Sequence, residues 1–184
     1  DKEKEAVLRL SEKLSWPVFA DITSGLRLGP SHKNLISHFD LILLAEEVMT
    51  RFPLEGVLHL GGRITSKRWY QVLEKKRPGD YVMVINHPLR HDPLSSVSMR
   101  VESTIEPFCR GILPFVKTKA SGQLLSRFQK AQSAVERAIA EFEQKQNSLS
   151  EPLVARLVSK CIPAGSGLFL ANSMPIREMD FYGD

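Results

Sequence analysis

Apolar positions along the chain follow two spacings, one typical of amphipathic helices and one of buried strands. Residues 124–146 show the clearest 3.6-residue period, while residues 81–85 are almost wholly apolar, as expected of a strand covered on both faces. The same patterns predict further helices over residues 3–14, 35–51, 66–76 and 153–161, and further strands over residues 17–20, 56–62, 99–105 and 168–171. Because helices alternate with strands through short Gly- and Pro-containing loops, we predict an α/β fold: a Rossmann-like parallel sheet with helices on both faces.

A polar stretch at residues 144–148 interrupts this alternation. It predicts a boundary near residue 147, with a central Rossmann-like domain over residues 1–147. Residues 148–184 supply one predicted helix and one predicted strand, too little to fold alone, so we interpret them as the start of a following domain. The compositions near Asp1 and Asp184 are not typical of natural termini, and we expect a fragment of a longer polypeptide.

Composition excludes several classes of protein. The chain has 184 residues, of which 42% are hydrophobic and 25% charged, as in ordinary globular domains. Two cysteines, Cys109 and Cys161, are too few for a disulfide framework and favour a reducing compartment. The longest aliphatic run, residues 41–45, is far shorter than the ~20 residues of a membrane span, so we expect no membrane partner.

The net charge of +4 permits nucleic-acid binding without arguing for it. The excess lies in residues 51–100, which hold nine Lys or Arg against four Asp or Glu. Such a local concentration suits a small anionic ligand at least as well as a polyanion, and we expect no nucleic-acid partner.

Candidate binding residues follow the predicted strands, because ligands of open parallel sheets bind beyond the carboxyl ends of the strands. Residues 61–68, Gly-Gly-Arg-Ile-Thr-Ser-Lys-Arg, combine glycines, a helix start and three basic side chains, which suits an anion. The alternative is that Thr65 or Ser66 merely caps a helix and the basic side chains are solvated. Residues 171–177 and 21–27 are the second and third candidates, and for both the alternative is a simple polar turn.

Two imidazoles and a carboxylate at His87, His91 and Asp92 invite a metal interpretation. Pro88 and Pro93 make a helix there improbable, so the two histidines would not share a face, and a surface loop is favoured. Nucleophile motifs and paired catalytic carboxylates are also missing from the sequence.

Three segments carry a resemblance to a known family. They are Trp-Pro-Val-Phe-Ala-Asp at residues 16–21 with Ser-Gly-Leu-Arg at 24–27, Leu-Gly-Gly-Arg-Ile-Thr-Ser-Lys-Arg at 60–68, and residues 168–180, which contain Asn-Ser-Met-Pro-Ile-Arg. In this order they resemble the middle domain of 2-succinyl-5-enolpyruvyl-6-hydroxy-3-cyclohexene-1-carboxylate synthase, including its multidomain plant form. The resemblance spans nearly the whole chain.

The resemblance implies a thiamine-diphosphate-dependent reaction of menaquinone and phylloquinone biosynthesis. In it, 2-oxoglutarate is decarboxylated on the thiamine ylid and the resulting succinyl carbanion adds to isochorismate. Arg68, Ser173 and Arg177 match an arginine, a serine and an arginine that in this family contact isochorismate, while Asn172 matches a neighbour that shapes the turn.

The family's cofactor motifs do not occur in this sequence. The resemblance implies that a pyrimidine-binding domain precedes residue 1 and that the rest of a diphosphate-binding domain follows residue 184, so residues 148–184 would be its beginning. We therefore expect thiamine diphosphate and Mg²⁺ in the full-length enzyme, and a fragment that binds neither and does not turn over. The missing domains would be its partners, in a full-length homo-oligomer, located in the plastid stroma of a plant or otherwise in the cytoplasm.

Two other functions remain open from the residues alone. One is a stand-alone Rossmann-like module that holds a nucleotide or a small carboxylic acid at residues 61–68. The other is a basic nucleic-acid binder, which would show salt-dependent retention on DNA.

Overall fold

Five parallel strands form the framework of the chain, for which a computed structural model describes residues 2–51, 53–117 and 122–184. The strands are β1 (Val18–Phe19), β2 (Leu35–Ile36), β3 (Gly56–Leu60), β4 (Asp80–Ile85) and β5 (Met99–Glu102). Strands β1 and β2 pair with each other, and β3, β4 and β5 form a second sheet in that order. Every pairing is parallel, which confirms the predicted α/β class.

Eight α-helices of the described ranges surround these strands. They are α1 (Lys2–Leu14), α2 (Phe39–Ile42), α3 (Glu46–Arg51), α4 (Lys67–Lys76), α5 (Ile105–Ile112), α6 (Gln123–Lys145), α7 (Glu151–Cys161) and α8 (Met174–Tyr182). Helices α4 and α6 agree with their predicted ranges to within one residue at each end. The strongest apolar periodicities therefore located their helices correctly.

The two faces of the larger sheet are covered by different helices. Successive side chains of a strand point to opposite faces, so Val57 packs into a core with α2, α4 and α6 while Leu58 packs against α1 and α5. The first core is centred on buried aromatic and aliphatic side chains, chiefly Phe39, Trp69, Leu73, Tyr81 and Phe128. The second contains Ala6, Leu10 and Cys109. Helices on both faces, as predicted, are confirmed.

The helix predicted over residues 35–51 is wrong as a single element. Leu35 and Ile36 instead pair in parallel with β1, and the following residues form only the short helices α2 and α3. Asn34 holds this start in place by donating its side-chain amide to the carbonyls of Ser11 and Trp16, both at 3.0 Å. Ladder and side-chain hydrogen bonds with distant residues override the local 3.6-residue pattern here.

The strand predicted over residues 168–171 is also wrong. No strand of the described residues pairs with this segment, and Phe169 is 96% exposed. The segment leads instead into α8, whose first turn accommodates Pro175 because a proline there needs no hydrogen-bond donor. Similarly, the predicted strand over residues 99–105 ends at Glu102, and α5 begins with Pro107 in its first turn.

Helix α8 packs against α7, against α2 and against the 3₁₀ turn Ile22–Ser24. These contacts bring residues from opposite ends of the sequence together. The predicted domain boundary near residue 147, between α6 and α7, stays a prediction.

Two simpler observations complete the fold. None of the helices within the described ranges is both long enough and apolar enough to cross a membrane. Cys109 is buried and Cys161 is exposed, and both are free thiols.

Candidate functional site

Arg68 lies in the first turn of α4, six residues after the second of the two glycines, Gly61 and Gly62, that follow β3. Ser66 is the N-cap of this helix, and its Oγ accepts a hydrogen bond from the backbone N–H of Trp69 at 3.0 Å. Of the two capping residues left open by the sequence, Ser66 is therefore the one that caps. This cap fixes the start of α4 and with it the backbone position of Arg68.

A buried carboxylate meets Arg68 from α2. Asp40 exposes only 2% of its side chain, and its two oxygens accept from the Ser66 hydroxyl and from Nη1 of Arg68. Arg68 itself is 29% exposed. The ion pair thus anchors one edge of the guanidinium while part of the side chain stays accessible.

A second carboxylate lies at the same strand end. Oδ2 of Asp21 accepts from the backbone N–H of Thr65 at 2.6 Å, and its Oδ1 accepts from the N–H of Thr23 at 2.9 Å. The predicted anion position at residues 61–68 is therefore engaged by the protein's own carboxylates, Asp21 and Asp40. Arg63 and Lys67 remain exposed.

The segment 21–27 forms the polar turn that was the alternative for the third candidate. Asp21 caps the 3₁₀ turn Ile22–Ser24, and Gly25 ends it with a φ of 70°, in the left-handed region that favours glycine. Its last residue, Arg27, is buried rather than available to a ligand.

The second candidate segment leads into α8. Ser173 occupies the N-cap position, is exposed and makes no side-chain capping bond. Arg177 follows one turn later, is exposed, and has no hydrogen bond or ion pair with any residue that the structure describes. Residues spaced by four lie on the same face of a helix, so Arg177 and Phe181 share one face of α8.

Phe181 links α8 to Arg68. The guanidinium carbon of Arg68 lies over the Phe181 ring, 5.0 Å from its centroid, which is the geometry of a cation–π contact. The structure therefore brings Arg68 to the face of α8 that carries Arg177. Ser173 precedes the helix and lies eight residues before Phe181, which is about 12 Å along a helix axis, so the structure does not bring it to Arg68.

A buried arginine and a buried histidine hold the other end of α8. Arg27 is 3% exposed and donates to the carbonyls of Asp180 and Gly183 at 3.0 and 2.8 Å. His38 donates from Nδ1 to the carbonyl of Phe181 at 2.8 Å. Cations near the last carbonyls of a helix are favourable, so this arrangement stabilises the C-terminal end of α8.

The same burial perturbs the protonation of these groups. It lowers the pKa of Arg27 to about 10, and together with the positive charge of Arg27 it lowers the pKa of His38 to about 4. Burial and the nearby carboxylate of Asp21 raise the pKa of Asp180 to about 7. Oδ1 of Asp180 accepts from the N–H of Ile22 at 2.8 Å, but its buried Oδ2 has no partner among the described residues.

The histidines at residues 87 and 91 lie in a loop, as predicted. Their rings are 5.2 Å apart, but the carboxylate of Asp92 accepts from the N–H groups of Ser96 and Val97 at 2.8 and 3.1 Å. Asp92 therefore stabilises the loop. Across residues 2–51, 53–117 and 122–184, no group of three or more His, Cys, Asp or Glu side chains is arranged to hold a metal ion.

Sequence reasoning missed Asp40 and Phe181. A signal for Asp40 was present, because it lies four residues after Ile36 and three before Leu43, on the apolar face of the predicted helix. A carboxylate in that position needs a buried partner. Nothing in the local pattern around Phe181 distinguishes it from a core aromatic.

Comparison with known proteins gives consistent matches over the whole chain. A family model described as the middle domain of thiamine pyrophosphate matches residues 1–170. The protein PHYLLO, chloroplastic, of Arabidopsis thaliana is 38% identical over 190 residues, which covers 97% of this chain and 11% of the plant protein.

Two bacterial proteins named 2-succinyl-5-enolpyruvyl-6-hydroxy-3-cyclohexene-1-carboxylate synthase are also similar. That of Rubrobacter xylanophilus is 33% identical over 183 residues, covering 100% of this chain and 32% of the bacterial protein. That of Synechococcus elongatus is 34% identical over 179 residues, covering 97% of this chain and 30% of the bacterial protein. The chain spans about a third of the length of these relatives, and the resemblance seen in its residues is confirmed.

Proposed function

Because the chain belongs to the family of middle domains of thiamine pyrophosphate enzymes, we propose that it is the middle domain of a synthase that adds a succinyl group from 2-oxoglutarate to isochorismate. In this proposal Arg68, Ser173 and Arg177 form part of the isochorismate site. The names of the bacterial relatives support the reaction class.

The contact between Arg68 and α8 carries this proposal. Isochorismate has two carboxylates, and Arg binds carboxylates through paired N–H groups. Arg68 reaches the face of α8 that bears Arg177, and Arg177 is exposed without a charged partner in the described part of the chain. Two guanidinium groups associated with one helix face suit a dianionic acceptor.

Within the described residues, the carboxylates at the strand ends do not suit the Mg²⁺ that accompanies thiamine diphosphate. The strand-end carboxylates, Asp21 and Asp40, are occupied by donors of the chain itself, and the described ranges hold no cluster suited to a metal ion. We therefore assign the cofactor and its metal to the pyrimidine- and diphosphate-binding domains of a longer polypeptide. By itself the chain should be inactive.

Those domains would be the partners of this chain, within a full-length homo-oligomer. The name of the Arabidopsis relative places that protein in the chloroplast. This name supports a location in the plastid stroma if the source of the chain is a plant. If the source is a bacterium, we propose a cytoplasmic location. A stand-alone nucleotide-binding module is less well supported, because Asp21 and Asp40 already engage the strand end where a phosphate would bind.

Kinetics of the full-length enzyme test this function. We expect Arg177→Ala to raise the KM for isochorismate by about ten- to hundredfold, the loss typical of a charged hydrogen bond, and to leave the KM for 2-oxoglutarate unchanged. Arg137→Ala, an exposed arginine on α6, is the matched control and should change neither. An unchanged KM for isochorismate in the Arg177 variant would contradict the proposal.

A further inference from the structure

We propose that Asp40 is a positioning residue for the acceptor substrate: it holds the Arg68 guanidinium at one corner and leaves the remaining N–H groups to the ligand. This inference rests on the proposed function and deepens it. It assigns a role to a buried carboxylate that contacts no substrate itself.

The position of Asp40 does not depend on Arg68. Its carboxylate accepts from the hydroxyl of Ser66, and the same Ser66 Oγ accepts from the N–H of Trp69. One oxygen of Asp40 is thus joined to the first turn of α4, and its second oxygen faces Arg68 on that same turn. With 2% of the side chain exposed, water cannot replace either contact.

The guanidinium is restrained in two directions. Asp40 binds it in its plane through Nη1, and the ring of Phe181 covers one of its faces. A guanidinium has five N–H donors. Its Nε and Nη2 groups have no hydrogen-bond partner within the described ranges, so they are available to a carboxylate without any rearrangement of the side chain.

Asp40→Asn in the full-length enzyme distinguishes a positioning role from a role in which Asp40 only reduces the positive charge of the site. Asn keeps the size of the side chain and still accepts from Ser66, but its amide nitrogen faces the N–H groups of Arg68. If Asp40 only reduced the positive charge of the site, its neutralisation would strengthen the binding of an anion and lower the KM for isochorismate. Positioning predicts the opposite sign.

We expect Asp40→Asn to raise the KM for isochorismate about tenfold, while kcat and the KM for 2-oxoglutarate change less than about twofold. Asp80→Asn is the matched control, because it adds the same charge at the exposed start of β4 and should leave all three constants unchanged. A lowered or unchanged KM for isochorismate in the Asp40 variant would overturn the inference.

Arg68→Lys keeps the inference open to refutation even if Asp40→Asn fails to fold. A lysine keeps the positive charge beside Asp40, but its single nitrogen is a point charge without the planar fork of arginine. We expect the same rise in the KM for isochorismate in a protein that melts normally, and an unchanged KM would refute positioning.

Arg177→Ala distinguishes a failure of positioning by Asp40 from a failure of the proposed acceptor site. If Arg177→Ala raises the KM for isochorismate but Asp40→Asn and Arg68→Lys do not, only positioning by Asp40 is refuted. If none of the three variants changes it, the proposed acceptor site itself is refuted.

Discussion

The start of α4 and the start of α8 supply the two halves of the proposed site in different ways. At α4, Arg68 is held by Asp40 and Phe181, and Ser66 caps the helix. At α8, Arg177 is exposed and Ser173 makes no capping bond. The first half is organised by the chain's own buried groups, whereas the second half is exposed and belongs to a helix whose far end is held by buried groups.

That far end is where the strongest restraints on α8 lie. Arg27 and His38 bind the carbonyls of residues 180, 181 and 183 from within the protein. The exposed residues at the start of α8 therefore depend on Arg27 and His38, which bind the helix about two turns away. Substitutions at these groups test whether the two halves are indeed independent.

Arg27→Met should have the largest effect. It removes the buried donor to the carbonyls of Asp180 and Gly183, and breaking a buried charged contact costs about 3–5 kcal/mol of unfolding free energy. Urea denaturation of the chain measures this loss. Arg9→Met, on an exposed arginine of α1 that pairs with Glu5 across one helical turn, should change the unfolding free energy by less than about 0.5 kcal/mol.

The pH dependence of stability should separate the contributions of Asp180 and His38. Asp180 has a pKa of about 7 in the folded chain against an ordinary 3.8, so the folded state retains a proton and loses stability as the pH rises from about 4 to about 7. His38 has a pKa of about 4 against 6.5, so the folded state excludes a proton and gains stability as the pH rises from about 4 to 6.5. The two effects oppose each other over the same interval.

Removing one of the two groups should therefore reveal a pH dependence of stability that the opposing effects reduce in the wild type. Asp180→Asn, which still accepts from Ile22, should gain more stability than the wild type as the pH rises from about 4 to 6.5, because the opposing Asp180 effect is removed. His38→Gln should gain less stability than the wild type over that interval, because the contribution of His38 is removed and that of Asp180 is kept. Urea midpoints at three pH values measure both slopes, and identical slopes in the two variants would contradict the assignment.

Local patterns sufficed for elements whose stability is mainly local. The period of α6, the start of α4 and the apolar run of β4 were all predictable, because each depends on residues close in sequence. They failed at residues 35–51, where Leu35 pairs with Val18. They also failed at residues 168–171, where a short apolar run does not distinguish a strand from an exposed segment that leads into a helix.

The candidate site was predictable only through the resemblance. Spacing alone left the basic residues at 61–68 open between binding and solvation, and it left Ser173 and Arg177 as a possible turn. Asp40 and Arg68 are 28 residues apart, and the ring of Phe181 reaches Arg68 from the other end of the chain. Such contacts are set by tertiary packing, which local periodicity does not encode.

Phe181→Leu tests the one described contact that joins Arg68 to α8, and it should have the smallest effect. Loss of the ring removes a partly exposed cation–π contact worth about 0.5–1 kcal/mol, while Asp40 still holds Arg68. We expect the KM for isochorismate of the full-length enzyme to rise about two- to fivefold.

Two control variants test whether the small rise in KM comes from the loss of the aromatic ring at residue 181. Phe181→Tyr keeps an aromatic face and should restore the wild-type KM, and Phe142→Leu, the same change on α6, should leave it unaltered. If Phe181→Leu raised the KM as much as Arg177→Ala, the two halves of the site would not be independent, and Phe181 would itself position both arginines.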